Sequence, residues 1–182
     1  MILQKIRIMA QLETNRDIST VMGITHANNF LQTIPIEYNT ARKIDVIEIE
    51  SLDSNEFYNL GTDVLDVRNV RFKDSNQKYK AYELAGNTIC FGTNGTFIVK
   101  IEKLPNLITL DTSEPEIDVA FHPAISKWMA YKEMARLYEE EDTSVKIKKE
   151  EAVRLIEVAN TQVSRKEKRR KKIRTPRWWL DA

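Results

Sequence analysis

The chain has 182 residues, enough for one hydrophobic core or for a core with appended arms. Apolar residues make up 42% and charged residues 30%, as in an ordinary globular protein, and only 5 Gly and 5 Pro exclude a collagen-like or low-complexity chain. The formal net charge of +1 hides a division: residues 161–182 hold nine Lys or Arg against Glu167 and Asp181, leaving 19 basic and 25 acidic residues in 1–160.

Residues 1–35 fit a helix or a strand, with Asp17-Ile18-Ser19-Thr20 able to cap a short helix. The opening MILQKIRIMAQ is too short and too broken by charge for a signal peptide's apolar core. No stretch approaches the ~18 apolar residues of a membrane span, so a soluble chain made in the cytoplasm is expected. ARKIDVIEIESL, residues 41–52, is rich in β-branched residues and predicts a strand. From Asp63 the hydrophobic period becomes two. DVLDVRNVRF, YKAYEL, NTICF and TFIVKIEKL read as four short strands of one antiparallel sheet over about 60–110. Ala85-Gly86-Asn87 and Gly92-Thr93-Asn94-Gly95 separate them, and Asn94-Gly95 predicts a type I′ hairpin. Cys90, the single cysteine, lies in a strand as a small apolar packer; it excludes an intrachain disulfide and fits a reducing compartment.

Leu104-Pro105 ends the strands, and Glu114-Pro115 marks a bend. The clearest periodicity then begins. Ala124, Trp128, Tyr131, Ala135 and Tyr138, with Ile125, Met129 and Met134 beside them, form one helical stripe, with Pro123 in the first turn. A second stripe runs through Ala152, Leu155, Ile156, Ala159 and Val163. The polar EEEDTSVK between them, where Asp142, Thr143 or Ser144 can cap, predicts a helical hairpin over about 121–165. Glu139, Glu140, Glu141 and Asp142 crowd the end of the first helix, where the helix dipole disfavours negative charge. They are either a solvated end whose Asp142 caps the next helix, or an acidic patch that meets a basic surface on another chain. Strands followed by helices make the chain α+β.

Catalytic chemistry is not expected. GNTICFGTNGTF has three glycines but no following lysine, so it is no phosphate loop. One cysteine and two histidines, His26 and His122, are too few for a structural zinc site, and His122 at a helix start suits packing or capping. Neighbouring carboxylates 139–142 point apart on a helix, and Ser19, Ser126 and Ser144 have no histidine nearby in sequence. No cofactor and no metal are expected.

The closing SRKEKRRKKIRTPRWWLDA has two layers. A basic run from Arg165 to Arg174 can extend the second helix by a turn or two. Pro176 stops it, and Arg177-Trp178-Trp179-Leu180 forms an aromatic anchor of the residue types that dominate interface energetics. Three readings stand: an arm docked on a neighbouring ring, lysines and arginines on DNA phosphates, or a solvated tail.

The run Ile117–Leu155, with its DVAFHPAI lead-in, YKEMARLYEEED and second helix, resembles the head-to-tail connector (adaptor) proteins of tailed bacteriophages. The resemblance implies N-terminal helices packed on the hairpin, and a connector domain over 1–164 that carries the β region. It implies a homo-oligomeric ring, a dodecamer, located in the virion neck between portal and tail or nozzle proteins. DNA would pass through the lumen without sequence recognition, and no membrane would be involved. An extended basic arm, 165–182, would dock on the portal through Arg170, Lys171, Lys172, Arg174, Pro176, Arg177, Trp178, Trp179 and Leu180. Glu139 to Asp142 would line the lumen or a subunit contact. The alternatives are another neck-ring or tail-completion protein, and a nucleic-acid-binding protein that uses its basic tail.

Overall fold

The computed structural model describes residues 1–38, 40–75, 77–139 and 142–173, with side chains as far as 166. The chain divides into two compact units: a helical one, from Met1–Ala41 together with the chain from Asn106, and a β unit, Arg42–Pro105.

In the helical unit, α1 (Leu3–Thr14) buries Leu3, Ile6 and Ala10, three positions on one face. It ends at Asn15, which adopts the left-handed conformation (φ 51°) that asparagine tolerates. The N-terminal ambiguity thus resolves to helix. Ser19 caps α2 (Thr20–Glu37), accepting from the Met22 amide at 3.3 Å, and the helix runs to 18 residues rather than the short one predicted. Gly23 is required where α1 and α2 meet, because a Cβ there would lie 2.5 Å from Cδ of Arg7. That arginine donates to the Ile18 carbonyl at 2.8 Å and to Asp111 at 2.9 Å.

A 3₁₀ turn, Val119–Phe121, leads into α3 (His122–Leu137), with Pro123 in its first turn. Helix α3 packs against α1, α2 and α4 (Thr143–Ile173). It buries Ala124, Ile125, Trp128, Met129 and Tyr131 of the expected stripe. Tyr138 instead closes the helix end and is exposed. From α4 come Val145, Ala152, Ile156 and Ala159, with Leu155 and Val163 partly buried, as the second stripe predicts. Lys127 on α3 bridges Glu13 of α1 at 2.7 Å and Glu151 of α4 at 3.0 Å. Ile108 is pinned by both ends of the Asn28 amide, at 2.8 and 2.9 Å, which replaces a missing strand partner.

The β unit holds six strands: β1 (Lys43–Ser51), β2 (Phe57–Asn59), β3 (Val64–Phe72), β4 (Tyr82–Ala85), β5 (Thr88–Phe91) and β6 (Gly95–Lys103). They make two antiparallel three-stranded sheets, ordered β1-β6-β3 and β2-β5-β4. The single sheet expected over 60–110 is therefore corrected to two sheets within 42–105, with β1 as the predicted strand and β2 unpredicted. Between the closing pair Ala85↔Thr88, Gly86 has φ 58° and Asn87 has negative φ, the sign pattern of a type II′ hairpin. The Asn94-Gly95 hairpin does not form. Strands β5 and β6 belong to different sheets, and Gly95 adopts φ 150° in a crossover between them. A Cβ at Gly95 would come within 3.2 Å of the Phe72 ring. The core, Leu60, Val70, Ile89, Phe91, Phe97, Val99 and Ile101, is centred on Phe91 and Phe97, stacked with centroids 4.0 Å apart. Tyr79 and Phe72 extend this aromatic cluster.

Candidate functional site

Among the described residues, a concave feature lined by cationic and aromatic side chains lies in the β unit. After β3 the chain turns back, and residues 78–82 cross from one sheet to the other in extended form. Lys78 pairs with Arg71 in an isolated antiparallel backbone bridge, the Tyr79 amide donates to the Val70 carbonyl at 2.8 Å, and the Gly92 amide donates to the Ala81 carbonyl at 3.0 Å. Against β3 this crossing encloses a groove of about 360 Å³ lined by Arg68, Asn69, Lys78, Tyr79, Lys80 and Tyr82. Lys78 and Lys80 are exposed, and neither forms an ion pair among the described residues. Tyr79 is held by ring contacts to Phe72 and Phe97, with centroids 5.1 and 5.0 Å away. Arg68 donates Nε–H to Glu102, a buried carboxylate that also accepts from Arg42 at 2.7 Å. Between Arg68 and Lys80 there are five cations and one acidic residue, Asp74, whereas the whole β unit carries 9 basic and 10 acidic residues. Three of those cations, Arg68, Lys78 and Lys80, line the groove, whereas Lys73 pairs with Glu48 at 2.6 Å.

Asp142, the last of the four acidic residues, caps α4. Asp142 accepts from the Ser144 amide at 2.7 Å and its hydroxyl at 2.5 Å, and these bonds hold its carboxyl below the usual range. Glu139 is exposed in the same loop, near Leu137 and Tyr138, while Glu140 and Glu141 lie outside the described residues. The basic run begins as helix, as the sequence predicts: α4 continues unbroken through Ile173. Lys166 pairs with Asp118 at 3.1 Å. The backbone of Arg170, Lys171 and Lys172 is helical, but their side chains lie outside the description, as do Arg174, Pro176, Arg177, Trp178, Trp179 and Leu180 altogether.

The titratable groups inside the helical unit serve packing. His26 on α2 meets Glu133 on α3 at 3.2 Å, both buried, and Glu133 also accepts from Arg136 at 2.6 Å. Burial pushes the His26 ring below its ordinary value even though Glu133 pulls the other way. Glu133 lies below the carboxylate range, chiefly through Arg136. The sequence missed this pair because 107 positions separate its members. His122 is buried at the start of α3, and burial lowers its pKa too. Cys90 is buried, with Sγ 3.2 Å from the Ser54 carbonyl. Among the described residues no group of three His, Cys, Asp or Glu side chains is arranged to hold a metal ion, and no helix is long and apolar enough to cross a membrane.

The groove escaped the sequence reading, although KYKAY at 78–82, cations alternating with tyrosines, was its available signal. No protein-family model matches the chain, and no curated protein sequence matches it.

Proposed function

We propose that this chain is a non-enzymatic structural subunit of a tailed phage particle, forming a ring that connects portal to tail and docking through its C-terminal arm. The observation that carries this reading is α4. Its 31 residues span about 46 Å at 1.5 Å per residue. The first part is anchored by Val145, Ala152, Ile156 and Ala159, and the same helix continues into the basic run. A cationic segment borne on a packed helix is already partly ordered. Docking then costs less of the roughly 1–2 kcal/mol per residue lost when a free chain is fixed. The run Ile117–Leu155, which resembles phage connectors, coincides with the 3₁₀ turn, α3 and the start of α4. The helical N-terminal region agrees with that resemblance as well. Deleting residues 174–182 is expected to abolish docking on a portal ring while α3 and α4 stay folded. Docking of the truncated chain with unchanged affinity would refute the arm.

A further inference from the structure

We propose that the groove between β3 and residues 78–82 binds single-stranded nucleic acid through its phosphate backbone, without sequence preference. This site belongs to the β unit and the C-terminal basic run to the helical unit, and the site stands whether or not the chain forms a ring. Two observations carry it. First, Lys78 and Lys80 are exposed and make no ion pair among the described residues, so their charge is available to a ligand. Side chains two apart on an extended segment share one side, about 6.6 Å apart, and can follow successive phosphates of an extended strand. Second, Tyr82 lines the same groove, while Tyr79, between the two lysines, packs on Phe72, Phe91 and Phe97 and holds the segment to the core. A positive groove with an aromatic ring is how single strands are held without base-edge readout, the ring offering a face to a base.

An acidic peptide is the competing polyanion. Carboxylates are best recognised by the two-pronged guanidinium, and the arginine lining this groove is committed to Glu102. The uncommitted cations are lysines, point charges suited to phosphate, and a peptide would leave the Tyr82 ring without a role.

The full chain should be titrated with a fluorescent oligothymidylate, and a 5-iodouracil version cross-linked and mapped by mass spectrometry. Cross-links are expected at Tyr82, which separates this site from the basic run beyond Arg165. The K78E/K80E variant should keep its thermal midpoint, since both side chains are exposed. It should bind at least about tenfold more weakly, and its log K against log salt slope should flatten by about 1.4, two contacts at ~0.7 each. The proposal is overturned if cross-links fall only within 165–182, or if K78E/K80E binds as tightly as the parent. It is equally overturned if polyglutamate displaces the oligonucleotide at equal charge concentration, which would make the site a peptide groove. Tighter binding of duplex than of single strand would also overturn it.

Discussion

The two units bury a carboxylate in related ways but with different partners. In the helical unit Glu133 is held by His26 and Arg136; in the β unit Glu102 is held by Arg42 and Arg68. A guanidinium does not lose its proton in the accessible range, whereas an imidazole changes charge near neutrality. The buried acid is thus tied to one titrating partner and one permanent cation in the helical unit, and to two permanent cations in the β unit. The units also differ in how they fill space. The helical core is spread over four helices and many aliphatic side chains, while the β core is small and concentrated on one aromatic stack.

The largest effect is expected from breaking that stack. Phe97→Ala should cost about 4 kcal/mol, because a buried ring leaves a cavity that two short sheets cannot close. Urea unfolding followed by near-UV circular dichroism of the aromatic cluster measures it. In the helical unit, Ile125→Ala should cost about 3 kcal/mol, since more surrounding side chains can relax into the space. Next comes Glu102→Gln, which removes the buried charge that Arg42 and Arg68 share. It should destabilise by about 3 kcal/mol or somewhat less, because Arg68 is 39% exposed and water offsets part of the loss.

The acid response sharpens the contrast. His26 and Glu133 both have folded pKa values below their unfolded ones, so each stabilises the native state most when deprotonated. His26 contributes fully above its ordinary value of 6.5 and loses that contribution as pH falls below it; Glu133 follows below 4.5. His122 acts in the same direction as His26. Thermal midpoints read by far-UV circular dichroism should therefore fall from pH 7 to pH 5, and H26Q should flatten that fall. A midpoint that rises on acidification would contradict the assignment. The smallest effect, about 1 kcal/mol, is expected for Ser19→Ala, which removes one cap from α2 and leaves the β unit untouched.

Legibility followed the range of the interactions. The hairpin stripes, the Asp142 cap and the strand segments could be read from residues a few positions apart. Asn94-Gly95 misled because its hairpin preference of order 1 kcal/mol is local. Burying Phe91 and Phe97 against each other decided instead that β5 and β6 part into separate sheets. The groove was invisible for the same reason: Arg68 and Lys80 meet only once the chain folds back after β3.

Sequence alone determined the α+β class, the two helices of the hairpin and the concentration of positive charge at the C-terminal end, because periodicity, caps and charge runs act over one or two turns of chain. Tertiary structure decided the two-sheet topology, the partners of Glu133 and Glu102, and the assembly of the cationic groove. Each of those depends on contacts between segments far apart in sequence, whose energy appears only when water is excluded between them.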